Sequence, residues 1–568
     1  NRILTAPIFL HNVQGKQSYP TESVITHFVN KAKGGAAMVT FGGVSIFPDT
    51  TTGYNLYESS SQNYICQLVD QTHFWGSKIS AELHMMDYAK RYAVSTGVEL
   101  MDGSIAKDEM PITEINKIIK QFSRAAQVLK KLGFDAILLH FGHSTPIGQF
   151  LSPKTNKRKD FFGGSLENRF RFPQMIIENI RDTIGNDLII EVRISGSEIV
   201  EKGIDISESI SFTKSIEDKI DLIHVSAGNL SPRNFTRVHP TSFLSPEPNV
   251  FLAEMMKKSG ISIPVVAVGG IQDLDHAEDI IKSGKADFVS IARGLIADPN
   301  LVRKAYEDKS DEVVPCIKCN LCHDSVCLED GHRFVCSVNP RIGMEGTDFS
   351  TIDFHRKKIV VIGGGPAGMQ FSITAAERGH KVILYEKGME LGGQLCYSKN
   401  IPFKYDLVKF KDYLIRMVNK YKARGKIEIF FNRKMTQVDI KNLQADFVVY
   451  ALGSKLKIPP IIGIENAINI FRAYKHPDIL GKKLAIIGGG ATGAEGAMYF
   501  SMLGHDVTII GRKDAIASNL NRSARRELDY KIKDNIKIRT VLSANCIKIS
   551  KNKVLYRDSK GKNKELQI

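Results

Sequence analysis

The chain has 568 residues, 43% of them apolar and 24% charged; this is too long for one hydrophobic core and predicts about three or four globular domains. No apolar run approaches the ~18 residues of a membrane span, and no export signal is read at the start, which is expected to be truncated. The net charge of +16 sits on scattered lysines without an aromatic-studded basic stripe, which argues against nucleic acid and for a solvated basic surface that favours anionic cofactors.

In chain order, apolar runs of strand length fall at Ala37–Thr40, Ile79–Leu83, Ala136–His140, Leu188–Ile194, Leu222–Ser226, Val265–Val268 and Phe288–Ile291. Amphipathic helical patterns lie between them, among them Ile115–Leu132, Arg171–Ile184 and Asp275–Ser283. Strand and helix alternating over roughly 300 residues imply a parallel sheet closed as a (β/α)8 TIM barrel, spanning 1–310. Polar groups at strand ends (His140, Arg193, Ser226) then mark the C-terminal mouth, where barrels carry their chemistry.

A cysteine-rich segment at 311–354 follows. Of the eight cysteines, those at 316, 319, 322, 327 and 336 are clustered, which is not the distribution of a disulfide scaffold. Clustered thiols without an export signal point to metal and a reducing, cytoplasmic compartment. Cys316, Cys319, Cys322 and Cys336 supply four thiolates, which fits a [4Fe–4S] cluster or structural zinc. Three close cysteines and one distant one favour iron–sulfur, with Cys327 as the rival fourth ligand.

Two glycine fingerprints come next. The strand Lys358–Ile362 runs into Gly363-Gly364-Gly365-Pro366-Ala367-Gly368, and the strand Lys381–Tyr385 ends in Glu386, placed for ribose hydroxyls. Gly393 and Gln394, and Gly453 after the strand Phe447–Ala451, are further points of close backbone approach. This unit, 355–478, is expected to bind FAD. The second strand, Lys483–Ile487, leads into Gly488-Gly489-Gly490-Ala491-Thr492-Gly493, with Gly488, Gly490 and Gly493 in the fingerprint positions. Its acid position holds Gly511-Arg512-Lys513, so Arg512 favours NADPH over NADH. This NAD(P)H unit, 479–568, reads as C-terminally incomplete.

The stretch Gln149-Phe150-Leu151-Ser152-Pro153, with Phe162-Gly163-Gly164-Ser165-Leu166-Glu167-Asn168-Arg169, resembles the old yellow enzyme family. With Cys316-Ile317-Lys318-Cys319-Asn320-Leu321-Cys322 and the tandem fingerprints, the whole chain is similar to its long iron–sulfur branch of 2,4-dienoyl-CoA, 2-enoate and bile-acid enone reductases and trimethylamine dehydrogenase. The resemblance implies FMN in the barrel: Pro7 and Ile8 along the flavin ring, Gly42 beside it, Glu82 at the pyrimidine edge and Arg193 near flavin N1. Gly269, Gly270, Arg293 and Gly294 are implied for the FMN phosphate. It also implies that His140 and His143 hold the oxygen of a small substrate. Where the family has a proton-donating tyrosine this chain has Thr145, too weak an acid unaided, so His11 is the leading replacement and Tyr88 and Tyr92 are weaker ones. The expected activity is NAD(P)H-dependent reduction of an activated C=C (enoate, enoyl thioester or enone), in a chain that can form homo-oligomers. The rival readings are an FMN-dependent amine dehydrogenase, poorly served by a single tryptophan (Trp75), and an electron-transfer subunit with a degenerate site.

Overall fold

The computed structural model describes the chain apart from residues 11–16, 51–52, 86–91, 99–103, 107, 232–233, 328–332 and 348–351, and apart from the side chain of 327. It forms two compact units, 1–347 and 348–568.

In the first unit, eight parallel strands close into a barrel: β1 Ile3–Thr5, β2 Met38–Ser45, β3 Lys78–His84, β4 Ala136–His140, β5 Ile189–Ser195, β6 Leu222–Ser226, β7 Val265–Val268 and β8 Phe288–Ile291. Closure is made by β1, which pairs with β8 (Leu4 opposite Ser290) and with β2 (Leu4 opposite Met38). The seven sequence-expected strands all appear, four with identical ends. Their near-continuous apolar runs reflect burial on both faces, against outer helices and against the barrel interior.

The outer helices show why they form. Ile112–Lys131 buries Ile115, Ile118, Ile119, Phe122, Ala126 and Leu129, a stripe at three- and four-residue spacing, with Glu114 in the first turn and Lys130 and Lys131 in the last. Leu166–Ile184 begins earlier than its apolar pattern suggests because the Ser165 hydroxyl caps the Asn168 N–H.

Side chains two apart along a strand occupy successive interior layers. The lower interior is apolar, with Leu4, Met38, Ala136, Leu222 and Val266 packed together. Above it Glu191 accepts hydrogen bonds from the Ser80 hydroxyl and from His224 Nε2 at 2.7 Å. One step further, the same strands carry Glu82, Arg193 and Ser226 to the mouth.

The second unit holds a four-stranded parallel sheet of β9 Lys358–Ile362, β10 Lys381–Tyr385, β11 Ile427–Phe430 and β12 Phe447–Tyr450, in the order β11-β10-β9-β12. A separate parallel sheet contains β13 Lys483–Ile487, β14 Asp506–Ile510 and β15 Ile538–Val541, and an antiparallel meander follows, Asn545–Ile549, Lys553–Arg557 and Asn563–Gln567. Each glycine fingerprint sits between the first strand of a parallel sheet and a helix, Pro366–Glu377 or Ala491–Met502. Among the described residues no helix is long and apolar enough to cross a membrane.

Candidate active site

At the barrel mouth four side chains from three strand ends form one hydrogen-bonded chain. His140 Nδ1 lies 3.1 Å from Glu82 Oε1, His140 Nε2 lies 2.9 Å from His143 Nδ1, and His143 Nε2 lies 2.8 Å from Ser226 Oγ. Glu82 is buried, at 2% exposure, beside Arg193. Burial alone would raise its carboxyl, but the His140 hydrogen bond and the Arg193 charge outweigh that and hold it below the usual range. With Glu82 ionised, one assignment satisfies every atom: Ser226 donates to His143 Nε2, His143 Nδ1–H donates to His140 Nε2, and His140 Nδ1–H donates to Glu82. Burial, then the charges of Arg193 and His140, push His143 well below the ordinary histidine range, which keeps it neutral.

His143 and Ser144 both have positive φ, 59° and 56°. Two consecutive left-handed residues without glycine cost on the order of 1–3 kcal/mol each, and the surroundings impose them. Ser195 Oγ accepts the His143 N–H at 2.9 Å, and buried Glu198 accepts from the hydroxyls of Ser144 and Ser152 and from the Ile204 N–H. Thr145 Oγ1 lies 3.0 Å from the His140 carbonyl and 2.9 Å from that of Gly142, so its one hydrogen is spent on the backbone. Thr145 thus braces the turn into the helix Pro146–Leu151. His11 and Tyr88 lie outside the described residues.

The residues expected around a flavin line the same mouth. Pro7 and Ile8 follow β1, and a Cβ on Gly42 would stand 2.7 Å from the Ile8 carbonyl oxygen, so only glycine lets the two segments meet at the irregularity in β2. Gly269 and Gly270 have φ of 114° and 79° at the end of β7. Gly294 packs on the Gln272 carbonyl, where a Cβ would overlap it. Arg193 Nε and Gln272 Nε2 are buried donors with no hydrogen-bond partner among the described residues. Orphaned donors in a turn-lined mouth fit an anionic, hydrogen-bonding cofactor such as FMN.

Beyond β8, Cys316, Cys319, Cys322 and Cys336 line one cavity together with Arg293 and Asn320. None of the seven described cysteines is in a disulfide. Burial raises the thiols of Cys316 and Cys322, the latter up to about 12, and the nearby Arg293 charge opposes this. Among the described residues no three His, Cys, Asp or Glu side chains are placed to hold a single metal ion.

In the second unit, Gly363 has φ 114°, and a Cβ on Gly363 or Gly368 would overlap backbone carbonyls. A Cβ on Gly365 would meet nothing within 4 Å, which leaves the helix N-terminus open to a pyrophosphate. Glu386 accepts from the N–H groups of Gly364 and Gly388, both at 2.7 Å. Gly393 (φ 53°) faces Gly365, Gln394 Nε2 donates to the Ser454 carbonyl at 3.2 Å, and Gly453 has φ 67° with open space around it. In the second fingerprint Gly488 is open at φ 117°, Gly493 packs on the Gly488 carbonyl, and a Cβ on Gly490 would lie 3.4 Å from Asn519 Oδ1. Arg512 and Lys513 are exposed. Both fingerprints therefore fit dinucleotides.

Sequence reading missed the contributions of Ser195, Glu198, His239 and Asn320. His239 stands near the His pair, His323 and Arg293, and burial, followed by the influence of His323, Arg293, Arg193 and His140, lowers its pKa well below the ordinary value. Ser195, like Ser226, ends a barrel strand; Glu198, His239 and Asn320 depend on loops returning to the mouth.

The comparisons with known proteins agree with this fold. Residues 1–312 match the NADH:flavin oxidoreductase / NADH oxidase family, and residues 357–567 match the pyridine nucleotide-disulphide oxidoreductase family. The chain is 35% identical over 554 residues to an NADH oxidase of Thermoanaerobacter brockii, covering 93% of this chain and 83% of that protein. It is 28% identical over 567 residues to a cinnamate reductase of Clostridium sporogenes, covering 91% and 81% of the two chains. A solved 2-naphthoyl-CoA reductase in complex with 2-naphthoyl-CoA superposes with a TM-score of 0.91 at 26% identity, over 100% of this chain and 89% of that one. This chain belongs to the NADH:flavin oxidoreductase / NADH oxidase family, the old yellow enzymes, and carries a pyridine nucleotide-disulphide oxidoreductase unit behind its barrel.

Proposed function

We propose that the chain is an NAD(P)H-dependent reductase of an activated C=C in an enoate, enoyl thioester or enone. The observation that carries this reading is the His140–His143 pair at the barrel mouth, wired at 3.1 Å to the Glu82 carboxylate. The barrel fits FMN, the Gly363–Gly368 unit fits FAD, the Gly488–Gly493 unit fits NAD(P)H, and the four-cysteine cavity suits a [4Fe–4S] cluster better than a single zinc ion. When bound, FMN supplies hydride to the alkene while NAD(P)H, FAD and the cluster supply its electrons.

The protein's own part is to receive the charge that develops on the substrate oxygen. An oxygen entering between the two rings takes the His143 Nδ1–H. His140 keeps its Nδ1–H on the Glu82 carboxylate, which fixes the ring that lines the other side of the oxygen's entry. Thr145, with its hydrogen spent on carbonyls, does not protonate the α-carbon; His11 or a bound water does. An amine dehydrogenase is the weaker reading, because the single tryptophan, Trp75, ends the helix Ser59–Phe74 just before the N-terminal end of β3, at the opposite end of the barrel from the mouth. The clustered, non-disulfide thiols suit a reducing compartment such as the cytoplasm.

The test is an anaerobic turnover screen of enoates, enoyl-CoA thioesters and enones with NADH and NADPH. Alkene reduction lost on replacing both His140 and His143 by alanine supports the reading. Amine oxidation without alkene reduction, or a double variant as active as the parent, overturns it.

A further inference from the structure

The resemblance gives Arg293 to the FMN phosphate, yet its side chain also lines the cysteine cavity with Cys316, Cys319, Cys322 and Cys336. Its Nη1 donates to the Pro240 carbonyl at 2.6 Å and to Asn320 Oδ1. Asn320 sits between Cys319 and Cys322 and is 1% exposed, with φ 59°. The other arm of its amide, Nδ2, donates to the His239 carbonyl at 2.8 Å. One asparagine, fixed in a left-handed backbone and using both ends of its amide, therefore aims a guanidinium at the cavity. The remaining wall is largely apolar, with Ile296, Ile317 and Val338. A fixed charge at such a wall is weakly screened and acts strongly on whatever charge the cavity holds.

We propose that Arg293 is the charge partner of the cluster, that it holds the cluster's reduction potential up, and that Asn320 is the positioning residue that keeps it there. The proposal rests on the reading that the four cysteines hold a [4Fe–4S] cluster. Reduction adds one electron to an assembly already negative from four thiolates, so a neighbouring cation stabilises the reduced form more than the oxidised one. A lysine could replace the charge but not the fork that engages Asn320 and Pro240.

The experiment is an EPR-monitored potentiometric titration of the intact protein as parent, Arg293→Gln, Arg293→Lys and Asn320→Ala, with iron, sulfide and flavin contents measured on each. Flavin-depleted samples of all four are titrated too, so that a change in FMN occupancy is not mistaken for an effect on the cluster. The expected result is about four iron and four sulfide per chain, a lower midpoint potential in Arg293→Gln, and a smaller shift of the same sign in Arg293→Lys and Asn320→Ala. If Arg293→Gln assembles no cluster, the sign of the shift in the other two variants decides. Fully loaded variants with the parent's potential overturn the proposal and leave the cluster reading intact. Zinc without sulfide in the parent overturns both.

Discussion

Replacing Ser226 by alanine tests the hydrogen-bonded chain at its buried end. Ser226 has no exposed surface and donates to His143 Nε2 at 2.8 Å, and His143 is itself only 2% exposed, so water cannot take the place of the hydroxyl. Two responses are open to the chain without it. Either the Nε2 lone pair stays bare, or the order of donors reverses, which places hydrogens on both His140 nitrogens and requires an extra proton in a buried site already holding Arg193. A buried acceptor left without its donor costs about 1–3 kcal/mol. If that cost falls on the arrangement that presents His143 Nδ1–H to the substrate oxygen, alkene reduction slows roughly 5- to 150-fold. The assay is anaerobic single-turnover reoxidation of the reduced flavin by saturating alkene, with FMN content measured on the same sample. Ser226→Thr, which keeps the hydroxyl, should recover most of the rate. In a His143→Ala background the Ser226 change should add nothing, because the two act through one bond. A fully flavinated Ser226→Ala protein at the parent's rate would refute the reasoning, as would an equal loss in both backgrounds.

Cys336→Ala should lose the cluster iron while Cys327→Ala keeps it, as read by iron and sulfide analysis; the reverse would reassign the fourth ligand. Gly365→Val should fold normally and lose FAD while keeping FMN, because a Cβ there meets no protein atom yet fills the pyrophosphate approach; retention of both flavins would remove FAD from this unit. Arg512→Ala should raise the Kd for NADPH far more than that for NADH, and equal effects would make Arg512 ordinary surface. Lys31 is wholly buried, its Nζ over the Phe28 ring with no hydrogen-bond partner among the described residues, and burial lowers it to about 7, the charge of Glu345 opposing. Its folded value lies below the unfolded 10.5, so the cost is full at and below pH 7 and fades as pH rises toward 10.5, with an upper bound of about 5 kcal/mol from that span. Lys31→Met should therefore raise the urea midpoint at pH 7 and have little effect near pH 10; a gain independent of pH would refute this.

The fold was legible because its signals are local. Parallel strands buried on both faces, such as Ala136–His140 and Val265–Val268, read as short apolar runs whose ends need no knowledge of the rest of the chain. The glycine fingerprints were legible for the same reason, since a strand, a turn and a helix N-terminus are contiguous. So was the cysteine spacing, and so were His140, His143 and Thr145 as neighbours of one strand end. Which chemical state these residues adopt was not legible. The ionised carboxylate beside His140 comes from β3, the hydroxyl that settles the His143 tautomer from β6, and the cation between them from β5, and only closure of the barrel brings the three together. Thr145, read as too weak an acid, proves a backbone brace for the same reason: its hydrogen goes to carbonyls placed by the left-handed turn at His143 and Ser144, which Ser195 at the end of β5 and Glu198 in the loop after it hold from more than fifty residues away in sequence. Composition and spacing determine which groups a chain owns and which local turns it can make. Burial, protonation and hydrogen-bond direction depend on charges and dipoles within a few ångströms in space, and those neighbours exist only once distant strands have met.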